Sequence, residues 1–230
     1  MRRFEMARAL VDRAEERIAW IGDDHGDPYE AALISRSVSV EMHVAIKEVL
    51  DHLRSALDYC AHEVCETTTA ALSIGPIYFP ITSKKFSSKD FVSRVCRLMP
   101  GLSEARPDLV SVLARFQPFS SPDNDWLADL ATLSNRTKHV ELSVNCIDVA
   151  DVVFDPDQDS GGRYHFVRRA DGSDVRVDGL ALIEAPNGLH GVDCKLVYLR
   201  LDPINQGLLS FLKPAPISIR GIINAMEVAL

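Results

Sequence analysis

Two stretches of the chain collect side chains that handle anions and protons. L-R-S-A-L-D-Y-C-A-H, residues 53–62, carries Arg54, Asp58, Tyr59 and His62, and S-N-R-T-K-H, residues 134–139, carries Asn135, Arg136, Lys138 and His139. Arginine presents a planar fork of donors that matches phosphate or carboxylate oxygens. Histidine is the side chain that exchanges a proton near neutral pH. At about 100° per residue, Lys47, Asp51, Arg54, Asp58 and His62 fall on one strip of a helix. Leu50, Leu53, Leu57, Cys60, Ala61 and Val64 form the broad apolar face beside it. Arg54 borders that face, so its guanidinium is expected to be partly desolvated and held by Asp51 or Asp58 in a bidentate pair. Tyr59 points away from the strip.

Each stretch has a plainer reading as well. Charges three and four residues apart support a long helix by about 0.2–0.5 kcal/mol per pair with no ligand involved. Arg, Lys and His all favour the negative end of a helix dipole, so the second stretch could simply cap a helix C-terminus.

Helices must position both stretches. Phe4, Ala7, Val11, Ala14, Ile18 and Ile21 recur at helical spacing up to the stop GDDHGDP. From about Ser37 to Thr67 the chain runs without glycine or proline, which predicts one long helix capped by Ser37 or Ser39, with Glu41 in its first turn. TTTAALSIGPIYFPI, residues 67–81, is β-branched and apolar but broken by Gly75, Pro76 and Pro80, the pattern of an extended strap. Shorter helices follow: Ser87 or Ser88 caps FVSRVCRLM, Pro107 opens PDLVSVLARF, and Asp123 or Asn124 caps DWLADLATLSNRTKH after the turn QPFSSPD.

Beyond about residue 140 the grammar changes to strands. VELSVNCIDVADVVF, RYHFVRRADGSDVRVDGLALIEA and DCKLVYLRLD have strand composition, with DQDSGG, Asp171-Gly172 and Asn187-Gly188 as turns. Pro214 and Pro216 then lead into a last amphipathic helix, ISIRGIINAMEVAL. Helices first and strands afterwards predict an α+β protein: a helical bundle over 1–140, then a small antiparallel β-sheet with a C-terminal helix over 141–230 that packs on the rest.

Composition narrows the chemistry. An apolar fraction of 47% and a charged fraction of 25% are ordinary for a globular chain. A net charge of -8 argues against a surface that grips phosphates everywhere, and leaves room for a local basic strip. Cys60, Cys65, Cys96, Cys146 and Cys194 are odd in number and widely spread, and MRRFEMARALVDRAEE is charged and helical rather than a secretory leader. A reducing, cytoplasmic setting is the expectation, with no structural metal and no cofactor. No apolar run reaches the roughly 18–20 residues of a membrane span. G-x-S-x-G, a Walker loop, G-x-G-x-x-G after a strand and H-E-x-x-H are all missing. Gly161-Gly162 reads as a hairpin turn, and His165, Arg168 and Arg169 as an exposed strand edge.

Residues 40–140 resemble a group of uncharacterised bacterial proteins that carry a long helix reading L-R-S-A-L-D-H, then an F-P-I strap, a Q-P-Y/F turn and an L-x-N-x-x-K-H signature. Here these stand as Leu53 to Tyr59, Phe79-Pro80-Ile81, Gln117-Pro118-Phe119 and Leu133 to His139. The R-S-A-L-D-H element also has the R-x4-H form, which is similar to the motif of HEPN domains. These are all-α dimers, many of which cleave RNA without metal in toxin–antitoxin and phage-defence systems. The resemblance implies a HEPN-like homodimer and a metal-independent ribonuclease or defence component, with RNA or a nucleotide-like anion as partner. Arg54 would bind phosphate, Asp58 would orient it, and His62 or His139 would move the proton, because Tyr59 occupies the histidine position of the pattern. Asn135, Lys138 and Tyr59 would complete the ligand contacts. The alternative is a non-catalytic, dimeric binding or sensing module with an anion or nucleotide pocket around the same residues. A third reading makes the strip an internal salt-bridge network.

Overall fold

Serines start two of the helices that matter most. The computed structural model describes residues 3–22, 27–68, 76–139, 143–153, 166–169, 174–176, 182–184 and 194–230; at 137–139 and through 147–196 it describes backbone alone. Ser39 Oγ accepts from Met42 N at 3.1 Å, and the long helix α3 runs from Val40 to Thr68. Ser87 and Asp90 form a reciprocal capping box at the start of α4, Ser88–Leu98. The other helices of the described residues are α1 (Arg3–Gly22), α2 (Pro28–Ser35), α5 (Leu102–Ala105), α6 (Pro107–Ala114), α7 (Asp125–His139), α8 (Leu208–Leu212) and α9 (Ala215–Ala229). The strands are β1 (Val144–Val153), β2 (Phe166–Arg169), β3 (Asp174–Arg176), β4 (Leu182–Glu184), β5 (Cys194–Leu201) and β6 (Gln206–Gly207). The protein is α+β.

The chain gathers into two compact units: Met1–Glu15 with Glu48–Val140 and Pro214–Leu230, and Glu16–Lys47 with Glu141–Lys213. The division expected at 140/141 is contiguous in sequence. These units instead draw α2 into the same unit as the strands, and α9 into the same unit as α4 to α7.

In the helical unit the apolar face of α3 is buried from Val49 to Val64, with Leu50, Leu53, Leu57 and Cys60 at 0% exposure. Each such leucine contributes about 1.5–3 kcal/mol through burial. Phe4, Ala7, Val11 and Ala14 of α1, Leu109 and Leu113 of α6, and Ile219, Ile222, Ile223 and Met226 of α9 are buried in the same unit. Ion pairs and one charged hydrogen bond rim this core. Arg220 reaches Asp12 at 2.8 Å, Arg8 pairs with Glu227, and Arg106 donates to the Ala229 carbonyl at 2.6 Å.

In the other unit the sheet is antiparallel, ordered β3-β2-β1-β5-β4, with β6 paired to β5. A bulge interrupts the β1/β5 register between Val149 and Val152. Val197, Leu199 and Leu201 alternate into the core at 0% exposure, as period-two strand geometry requires. Buried Tyr29, on α2, accepts a hydrogen bond through its hydroxyl from Leu199 N at 3.3 Å. Residues 69–75 of the strap, the turns DQDSGG, Asp171-Gly172 and Asn187-Gly188, and His165 lie outside the described residues.

Candidate functional site

Helix α3 sets Arg54 and Asp58 one turn apart, and of the two expected partners Asp58 is the one that holds the arginine. The pair is bidentate, with Arg54 Nε to Asp58 Oδ2 at 3.3 Å and Nη2 to Oδ1 at 3.0 Å. Side-chain exposures are 16% and 21%, so the pair is partly desolvated. Both residues also grip the strap. Phe79 N donates to Asp58 Oδ1 at 2.8 Å, and Arg54 Nη2 donates to the Phe79 carbonyl at 3.2 Å. Two side chains thereby serve both amide groups of one strap residue, as a neighbouring strand would.

Gln117 fastens the strap a few residues further on. Its Nε2 donates to the Pro80 carbonyl at 2.9 Å, while its Oε1 accepts from Thr82 N at 3.0 Å and Thr82 Oγ1 at 3.2 Å. Gln117 is fully buried, and this network satisfies its amide. Next, Lys84 reaches Asp129 at 3.0 Å and Asp125 at 3.5 Å on α7. The L-R-S-A-L-D, F-P-I and Q-P-F segments are therefore bonded to one another around the strap. The sequence showed QPFSSPD only as a turn; the part Gln117 plays there had no local signal.

On α4, Arg94 was not among the expected site residues. It is half-buried, and its Nε is sealed from solvent without an acceptor. Burial, then the like charges of Arg97 and Arg54, push its pKa down. A basic pair at spacing three in SRVCR, following an acid committed to a cap, is the trace it leaves in the sequence.

The other expected residues are placed as follows. His62 and Tyr59 are half-buried on α3, and neither has a hydrogen-bond partner among the described residues. Asn135 and Arg136 are exposed near the end of α7; Lys138 and His139 lie in its last turn, and their side chains are outside the described residues. Asn135 makes no described hydrogen bond to the α3 strip. Burial pushes the Cys60 thiol up to about 12 and the Cys65 thiol up to about 11, which removes them as nucleophiles near neutral pH. Among the described residues no cluster of three His, Cys, Asp or Glu side chains could hold a metal ion, and no helix is long and apolar enough to cross a membrane.

The sheet-bearing unit has a polar cleft of its own. Arg36, Ser37, His43, Ser143, Asn145 and Cys146 line a cavity of about 560 Å³. Arg36 caps α2 in the left-handed conformation, with φ of 56°, and donates to the Leu33 carbonyl at 2.7 Å. On one wall Ser143 donates to Asp202 at 2.7 Å, and that hydrogen bond leads the causes that hold the Asp202 carboxyl below its ordinary range.

Comparison of the chain with protein-family models, with curated proteins and with solved structures found no match in any of the three.

Proposed function

We propose that the protein is a HEPN-like binding or sensing module, not itself a catalyst, that takes a nucleotide-like anion beside the α3 strip. The observation that carries this reading is the way Arg54 is held: bidentate on Asp58, bonded to Phe79 O and 16% exposed. A guanidinium fixed in direction and partly desolvated meets an anion with little reorganisation. Tyr59 stands where the R-x4-H pattern has histidine, the side chain suited to exchanging a proton near neutral pH. The homodimer implied by the same resemblance belongs to this proposal, and light scattering on the purified protein reads it directly.

The test is a thermal shift with AMP and ATP. A rise in Tm with either nucleotide, lost in Lys138→Ala and in Arg54→Ala, supports the module. No shift with either nucleotide, or a shift that survives both substitutions, ends it.

A ribonuclease reading is kept for one observation. His62 is half-buried on the same face of α3, one turn beyond Asp58, and has no hydrogen-bond partner among the described residues. Under that reading Arg54 binds the phosphate, Asp58 orients it, and His62 or His139 transfers the proton. Total RNA incubated with the protein in EDTA would be degraded, and His62→Ala or His139→Ala would stop it; RNA left intact by the wild type removes this reading.

A further inference from the structure

Every contact around the strap leaves two arginines of α4 unmatched. Arg94 has its Nε buried with no acceptor, and neither Arg94 nor Arg97 has a carboxylate partner among the described residues. A desolvated donor without an acceptor is costly to keep. Asp90 lies one turn before Arg94 on the same helix row, but its carboxylate turns back to accept from Ser87 N at 2.8 Å and Ser87 Oγ at 2.7 Å. Asp58 is committed in the same way to Arg54 and Phe79 N. Asp90 on the same helix and Asp58 beside Arg54 are therefore already engaged.

The strap ties the arginines together. One turn beyond Arg94, the Leu98 carbonyl accepts from Tyr78 N at 3.3 Å, and the next strap residue, Phe79, is the one held by Arg54 and Asp58. Arg54 is near enough to Arg94 for its charge to disfavour that of Arg94. The strap thus joins the helix that carries Arg94 and Arg97 to the pair formed by Arg54 and Asp58. A carboxylate ligand has only two oxygens to offer these arginines. A phosphoryl group has at least three and carries up to two charges.

We infer that Arg94 and Arg97, backed by Arg54, form a phosphate site, and that the ligand is anchored through a phosphoryl group whose oxygens accept from the Arg94 fork. The inference rests on the anion-binding reading above and deepens it by naming the ligand chemistry and a second helix. Arg94 is the anchor because its two Nη atoms, which are not sealed from solvent as its Nε is, make a two-pronged donor that fits two phosphoryl oxygens, a geometry lysine cannot supply.

Isothermal titration at low salt tests it, with inorganic pyrophosphate and a 5′-phosphorylated RNA oligonucleotide as the two probes. The wild type is expected to bind at least one probe. Arg94→Ala should weaken that affinity by about tenfold or more, Arg94→Lys should fail to restore it, and Lys89→Ala, which removes the same charge from another face of α4, should stay within about twofold. Because Arg94→Ala removes an unmatched donor, its unliganded Tm should not fall, which separates a lost ligand contact from a lost fold. Binding of pyrophosphate alone identifies a free phosphate compound as the source, and binding of the oligonucleotide alone identifies nucleic acid; both support the site. Wild-type affinity in Arg94→Ala, or an equal loss in Lys89→Ala, overturns it. If Arg54→Ala abolishes binding while Arg94→Ala does not, the anion-binding module stands and this site falls; if the wild type binds neither probe, both fall.

Discussion

Replacing Gln117 with leucine tests whether the strap is held by specific hydrogen bonds or by apolar packing alone. Leucine has a similar length and carries neither donor nor acceptor. The substitution would leave Thr82 N and the Pro80 carbonyl without their partners at 3.0 and 2.9 Å, in a place where the wild-type side chain is fully buried. Each stranded buried group costs about 1–3 kcal/mol. The Thr82 hydroxyl can rotate to another acceptor, and the Leu113 contact at 3.4 Å is long, so neither is counted. Two groups give about 4 kcal/mol, and the extra apolar burial of leucine returns about 1 kcal/mol, leaving a loss near 3 kcal/mol. For a chain of this size that is a fall in Tm of about 6–12 °C. Urea unfolding followed by circular dichroism, with a thermal melt beside it, measures both. A loss below about 1 kcal/mol would mean that packing of Phe79 and Ile81 alone seats the strap, and the reasoning would be refuted.

Two further outcomes follow from titratable groups. The folded Asp202 pKa is depressed, first by Ser143, so its contribution is present above the ordinary carboxylate pKa of about 3.9 and is lost as pH falls through the lower, folded value. Ser143→Ala should therefore be less stable than the wild type at pH 7, with the deficit shrinking below about pH 4; an equal deficit at pH 3 and pH 7 rules this out. Cys60 and Cys65 should resist a thiol reagent at pH 8 until the protein is unfolded, because burial raises both thiols to about 12 and about 11; labelling of either in the native protein, read by mass spectrometry, contradicts that protection.

What was legible in the sequence is what depends on local spacing. The Arg54–Asp58 pair follows from a separation of four on a helix, the Ser39 cap from a serine before an unbroken run, and the buried face of α3 from its apolar period. Helix α2 was overlooked because PYEAALIS, 8 residues long, is too short to show a clear apolar period, although Asp27 at its N-cap and Pro28 after it were both available as start signals. Ser121 caps a short 3₁₀ turn, Pro122–Asn124, that leads directly into α7 at Asp125. Asn124 is occupied elsewhere, donating to the Arg115 and Gln117 carbonyls at 2.9 and 3.2 Å. The bonding of Gln117 and the lack of an acceptor for Arg94 Nε were illegible for a common reason. Whether a buried amide is satisfied, or an arginine unmatched, depends on groups that are distant in sequence.

The grip of Arg54 and Asp58 on Phe79 also orders events in time. The two side chains point the same way only when the turn of α3 between them is wound, so the clamp for the strap does not exist before the helix does. Strap residues 78–82 can then open and close while α3 stays wound, but any unwinding through residues 54–58 must release the strap with it. The amide proton of Phe79 should accordingly exchange with solvent no more slowly than those of the helix turn that holds it, which makes the strap the subordinate partner in the opening hierarchy of the helical unit.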